Sequence, residues 1–311
     1  MKYHYVFMSK WDHLNDVIYG DILHLENVKF LDAPENNWSI KLLKLAPMFL
    51  KFLWNRKFYD RKSTEPICFV FRMSSMLKGR EPLFRYLKKR YKGCRLVAYL
   101  GDVIASRPYA DLSLLDKYFD LVLSFDKKDC EDYGQHHLLY YPTMYSRQEI
   151  PETPALAESD VFFCGKAKDR YDCITAIYKR FSAGGLRCDF NIARLNRGTV
   201  PVEGIRNIDK MEYGEYLRHV GKAKCLLDVL QRSSVGFTLR VWEALVYGKK
   251  LITTNKEILN APFYDARQFQ YIVSPGNIDV NFITDEFRPE PRYIEELSPL
   301  NFLRFLEDKL G

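Results

Sequence analysis

Short apolar runs alternate with helical stretches along the whole chain. In the first half, Tyr3–Met8, Ile67–Arg72, Arg95–Leu100, Leu121–Ser124 and Leu138–Tyr141 read as strands. Between them, Lys41–Trp54, Glu81–Tyr91, Leu112–Phe119 and Lys127–Asp132 carry helical spacing, with Pro47 expected to kink or restart the first. The second half repeats the pattern. Its strands are predicted at Asp160–Cys164, Arg187–Ile192, Cys225–Leu230, Leu251–Thr254 and Tyr271–Val273. Its helices are predicted at Arg170–Ser182, Tyr213–Gly221, Thr238–Tyr247 and, at the end of the chain, Tyr293–Leu310. Gly184-Gly185 and Gly248 supply helix stops. Strands separated by helices predict an α/β protein with parallel sheets covered on both faces.

Between the two halves, residues 146–158 hold Pro151, Pro154 and the glutamates 149, 152 and 158, and read as a linker. The expected organisation is therefore residues 1–150, residues 151–292, and a terminal helix over 293–311 that packs back on the first domain. A length of 311 residues suits two domains. Seven scattered cysteines without a Cys-x-x-Cys pair read as core residues of a reducing compartment, and their spacing argues against zinc. The amino terminus does not read as a signal peptide and no apolar run is long enough to span a bilayer, so a cytoplasmic protein is expected. The net charge of +7 is concentrated in the first half, which points to an anionic partner. Residues 40–62 are apolar, aromatic and basic together. They suit a helix on the anionic inner face of the membrane and equally a core helix with a basic exposed side.

The richest segment runs from Ser233 to Thr254. Gly236-Phe237-Thr238 reads as a tight turn into a helix, with Thr238 as N-cap and Gly236 allowing close approach. Unpaired N–H groups and the positive end of the helix dipole meet there, which suits phosphate oxygens. Arg240 in the first turn opposes the dipole, which is reasonable where a phosphate sits close by. Glu243, one turn on, is placed to accept ribose hydroxyls. A second candidate loop, Gly165-Lys166-Ala-Lys168-Asp-Arg170, follows the first strand of the second half, and Lys166 and Arg170 are its expected phosphate ligands.

Tyr213-Gly-Glu-Tyr-Leu, Ala-Lys-Cys-Leu-Leu-Asp228-Val and Gly236-Phe-Thr-Leu-Arg-Val-Trp-Glu243-Ala-Leu-Val-Tyr-Gly-Lys-Lys-Leu-Ile-Thr-Thr-Asn255 together resemble the donor domain of GT-B glycosyltransferases. The likeness is nearest to bacterial lipopolysaccharide and polysaccharide biosynthesis enzymes and covers about residues 159–258. It implies two Rossmann-like domains facing across a cleft, with a nucleotide sugar as donor substrate, a glycan or lipid-linked glycan acceptor, and no resident cofactor. It also implies that Gly236, Phe237, Thr238, Lys166 and Arg170 hold the diphosphate and that Glu243 binds the ribose. Many retaining members carry a second Glu eight positions earlier, where this chain has Val235.

For a base that takes the acceptor proton, Asp102 at a strand end is the first candidate, with Asp12 and His13 as rivals. A nucleotide-sugar epimerase of the same build and a basic nucleic-acid or membrane binder are the alternatives. A dinucleotide oxidoreductase is disfavoured because no Gly-x-Gly-x-x-Gly follows a strand.

Overall fold

A computed structural model describes residues 1–8, 13–31, 66–73, 81–106, 112–150, 152–195 and 198–311. The chain divides into two compact units. The first holds Met1–Asn15, Asp21–Pro142 and Pro299–Gly311, and the second holds Asp16–Gly20 and Thr143–Ser298.

In the first unit the elements are β1 (His4–Met8), α1 (beginning at His13 and ending at Tyr19 in the second unit), β2 (Val28–Leu31), β3 (Ile67–Met73), α2 (Glu81–Arg90), β4 (Arg95–Leu100), α3 (Ser113–Tyr118), β5 (Leu121–Ser124), α4 (Lys127–Asp132) and β6 (Leu138–Tyr140). The strands form one sheet in the order β2-β1-β3-β4-β5-β6, and every pairing is parallel. The second unit contains β7 (Ser159–Gly165), α5 (Tyr171–Ala183), β8 (Cys188–Ala193), β9 (Arg206–Ile208), α6 (Tyr213–Lys222), β10 (Ala223–Asp228), α7 (Leu239–Val246), β11 (Lys250–Thr253), β12 (Phe269–Tyr271) and α8 (Asn281–Thr284). Its sheet is also all parallel, in the order β12-β11-β10-β7-β8-β9. The α/β class with two doubly wound sheets expected from the alternation is what the chain adopts.

The predicted strands are the buried ones. β7 is buried on both faces from Ser159 to Cys164, which is why it shows as a continuous apolar run. Two edge strands escaped the sequence reading. β9, Arg-Asn-Ile, is largely exposed and has no apolar run, and β2, Val-Lys-Phe-Leu, is only four residues long and broken by Lys29. β12 lies earlier than expected because Phe269 is the residue that packs inward, at 1% exposure, whereas Val273 is 76% exposed.

The last helix, α9 (Pro299–Leu310), also starts later than predicted. Pro299 has no N–H to donate and favours the first helical position, and it pushes Ser298 into an extended conformation at ψ 133°. This helix buries Phe302, Leu303, Leu306 and Leu310, a stripe of helical period. Phe302 meets the rings of Tyr99 and Tyr141 edge-on, and the Tyr5 hydroxyl donates to the Leu303 carbonyl. The expected linker is partly ordered structure of the second unit. Tyr145 and Ser146 are fully buried, and the Ser146 N–H donates to Val17 O.

At the carboxyl end of β5, Asp126 caps α4 by accepting from Lys128 N at 2.9 Å. Asp129 in the same helix is 2% exposed and accepts from Ser124 Oγ at 2.8 Å and Ile104 N at 3.1 Å. This carboxylate thereby anchors the loop that follows β4 and carries Asp102. Burial pushes its pKa up to about 6, assisted by the nearby Asp126 and Asp132, although the bonds from Ser124 and Ile104 act the other way. A carboxyl whose folded pKa lies above its unfolded value contributes stability that is complete below about pH 4 and is lost as pH rises through about 6. Asp129→Asn keeps an acceptor for Ile104 N and removes the charge. Its melting temperature relative to the parent should therefore climb between about pH 4 and pH 7, and a difference that stays flat with pH in thermal melts would show that Asp129 does not titrate in this way.

Candidate functional site

In the second sheet, β7 and β10 are neighbours and the strand order runs outward from them in both directions. Open α/β sheets bind ligands beyond the carboxyl ends of their strands at such a reversal point. Four elements meet their ends there: β7 stops at Gly165, β10 at Asp228, β11 at Thr253, and α7 begins after Thr238.

Asp228 ties these ends together. It is fully buried and accepts hydrogen bonds from Thr238 Oγ1 and Thr253 Oγ1, each at 3.0 Å. Thr238 Oγ1 also accepts from Arg240 N at 3.3 Å, so one hydroxyl caps the helix and docks it on β10. Asn255, just beyond β11, donates through Nδ2 to Val235 O at 3.1 Å and Gly236 O at 3.3 Å, pinning the turn from the other side. Phe237 directs its ring into an aromatic cluster, edge-on to Trp242 at 5.5 Å and to Phe263 at 5.7 Å. The far end of α7 closes with Gly248 at φ +58°, where Lys249 N reaches Ala244 O and Gly248 N reaches Leu245 O.

Arg240 does not point to solvent. Its Nη1 lies 3.6 Å from Asp228 Oδ1, its Nη2 donates to Cys164 O, and the guanidinium sits 5.2 Å above the Phe163 ring. Burial works against its charge, and Tyr216, Asp228 and Glu243 outweigh that effect and hold it protonated. Gly165 lets the Arg240 guanidinium lie close against the end of β7, since a Cβ there would lie 2.8 Å from Arg240 Nη2 and the guanidinium would have to shift. Arg170 comes in from the following loop. Its guanidinium donates to the carbonyls of Ala167, Lys166 and Val229, the last at 2.5 Å, which fastens the loop after β7 to the end of β10. Burial, and then the neighbouring Arg240, lower the Arg170 pKa. Two guanidinium groups close enough to oppose each other, beside a capped helix start, form a local environment suited to an anion.

Glu243 departs from expectation. The ribose role requires an open carboxylate, but Glu243 is 1% exposed. Both of its oxygens are taken, by Tyr213 Oη and Tyr216 Oη at 2.5 Å each. Tyr145 Oη lies 3.3 Å from Tyr213 Oη and donates to Tyr247 Oη at 3.2 Å, extending the network. Burial raises the Glu243 pKa, opposed by the two tyrosine donors and Arg240. Full burial of α7 beyond its first turn is the reason: Val241 to Val246 are all packed inside, so the carboxylate must find its partners there.

Of the other expected residues, Lys166 is exposed on the loop after β7, next to Arg170. Asp102 is half-buried two residues beyond β4, in the first unit. Asp12 and residues 40–62 lie outside the described residues, and of His13 only the backbone is described, in α1. The sequence reading included Asp228 and Asn255 in the resembling segments but gave them no part in the site. Their signal was a carboxylate ending the apolar run Cys225-Leu-Leu, and an amide just past the last residue of the next strand.

No protein-family profile matches the sequence, and no curated protein does. Solved structures do align. A UDP-N-acetylglucosamine 2-epimerase from Listeria monocytogenes, so described putatively, superposes with a TM-score of 0.53 at 8% identity, covering 99% of this chain and 97% of its own. The UDP-GlcNAc 2-epimerase from Neisseria meningitidis, solved with UDP-GlcNAc, gives 0.51 at 11% identity, covering 99% and 100%. A calicheamicin glycosyltransferase aligns over 100% of this chain and 99% of its own at 10% identity, with a TM-score of 0.39. At these identities the likeness concerns the fold, which is the GT-B fold of two Rossmann-like units.

The close approach of Arg240 to Gly165 has a direct test. Gly165→Ala should displace the Arg240 guanidinium and lower stability by about 0.5 kcal/mol, and the loss should largely vanish in an Arg240→Ala background, since contacting sites couple. Additive losses in denaturant melts would mean that something other than the guanidinium demands the glycine.

Proposed function

We propose that the second unit binds a nucleotide-diphosphate sugar at the reversal point of its sheet and that the chain is a glycosyltransferase. The observation that carries this reading is the meeting of Arg240 and Arg170 with the Thr238-capped start of α7 at the ends of β7 and β10. The diphosphate would lie against the Gly236–Thr238 turn and the Lys166 loop. In the transfer, the acceptor oxygen bonds to the anomeric carbon as the bond from that carbon to the phosphate oxygen breaks. The nucleoside diphosphate leaves with the electron pair, and the guanidinium groups and helix start stabilise the charge that develops on it. The acceptor proton passes to a base. The surface-glycan acceptor of this reading rests on the sequence resemblance.

The whole-chain fold likeness to two UDP-GlcNAc 2-epimerases supports a second reading, epimerisation of the nucleotide sugar itself. An epimerase changes the donor without an acceptor. Proton NMR of a nucleotide sugar incubated with the protein alone separates the two: a new sugar epimer supports epimerisation, and unchanged configuration supports transfer.

The nucleotide claim is checked first by thermal shift against a panel of nucleotide sugars. A ligand at about 100 times its Kd stabilises the folded state by about 2.7 kcal/mol, a shift of several degrees. Lys166→Ala, at an exposed position, should leave the unliganded melting temperature unchanged and weaken the responding ligand by about 1–2 kcal/mol, the range of a charge-assisted hydrogen bond. A panel without any response, or undiminished affinity in the variant, would count against this site. Arg170 is a poorer target, because its three carbonyl partners make Arg170→Ala a stability change as well.

A further inference from the structure

We infer that Asp228 is the positioning residue of the phosphate site. This rests on the nucleotide-diphosphate reading above and adds a residue that the reading did not use. Two of the groups expected to meet the phosphate, the Thr238-capped start of α7 and Arg240, are directed by this one carboxylate. Asp228 Oδ1 accepts from Thr238 Oγ1, which caps α7, and the same oxygen faces Arg240 Nη1 at 3.6 Å. Its other oxygen, Oδ2, is held by Thr253 Oγ1 from β11. The carboxylate is fully buried, so its direction is set by the ends of two strands rather than by solvent.

Arg240 needs such an anchor. Its guanidinium donates to Cys164 O, lies over Phe163 and passes beneath Gly165, with its approach limited on one side by the backbone of β7. The 3.6 Å separation from Asp228 is longer than a hydrogen bond, so the carboxylate aligns the fork by charge while the donors on Nη1 remain able to meet a phosphate oxygen. Asp228 thus acts on a ligand through Arg240 and Thr238 and does not touch it.

The sign of one measurement separates orientation from simple charge. Removing a negative charge beside an anion site strengthens anion binding by Coulomb's law alone. If Asp228 orients Arg240, its neutralisation weakens binding instead. The probes are inorganic pyrophosphate and a panel of nucleoside diphosphates, titrated by calorimetry against the full chain. Asp228→Asn should bind the responding probe about tenfold more weakly, and adding Asp228→Asn to Arg240→Ala should cost clearly less than Asp228→Asn costs alone, since the part of its effect that passes through Arg240 is already lost and only the part through Thr238 remains. Thr253→Val removes one hydrogen bond to Asp228 without facing Arg240 and should change affinity by about twofold or less. Should Asp228→Asn fail to fold by circular dichroism, Asp228→Ser carries the same expectation. Equal or tighter binding by the Asp228 variants, or losses that add in full to that of Arg240→Ala, would overturn the positioning role while leaving the site intact. A parent protein that binds neither pyrophosphate nor any nucleoside diphosphate would overturn the site itself.

Discussion

A carboxylate sealed from water must be satisfied by its neighbours, and in the second unit that requirement organises the loops around Asp228. Its partners come from the N-cap of α7, the end of β11 and the first turn of α7. Leaving such a group without partners costs several kcal/mol, more than most single contacts contribute to stability. The cap of α7 is therefore tied to one buried carboxylate at the end of β10, and Arg240, held by Cys164 O and the Phe163 ring, lies 3.6 Å from the same group. Asn255 completes the arrangement by holding the carbonyls of Val235 and Gly236.

The same physics gives Glu243 a different outcome. It lies one turn further along α7, where Val241 to Val246 are all buried, and among the described residues no cation forms an ion pair with it. Two tyrosines from α6 supply hydroxyl donors instead, and burial raises its pKa. Two acidic residues within one segment thus take separate tasks. Asp228 stands at the ends of the strands beside the guanidinium groups, and Glu243 ties α7 to α6 from within.

In the first unit the counterpart is Asp129, which draws Ile104 N and Ser124 Oγ onto one carboxylate and so settles the loop that carries Asp102. The terminal helix belongs to this unit and covers it with Phe302, Leu303 and Leu306, all fully buried. Fold likeness at about a tenth of sequence identity fits this picture. A doubly wound sheet asks for apolar strands and amphipathic helices in alternation, and many unrelated residues meet that demand.

The amino-acid sequence by itself determined the α/β class, the buried strands and the two ends of α7, because these follow from local periodicity and from residues such as Thr238 and Gly248 whose backbone preferences act within one turn. It also marked the Gly165 and Gly236 loops as places of interest. The edge strands at 28–31 and 206–208 were illegible, the first because four residues interrupted by Lys29 are too short to show a period, the second because it is polar and exposed. Tertiary structure alone decided that Glu243 faces tyrosines, that Arg240 turns beneath Gly165, and that Asp228 gathers the site. The direction of a polar side chain depends on which distant groups the fold brings within about 3 Å, where hydrogen bonds form, and no spacing along the chain encodes that distance.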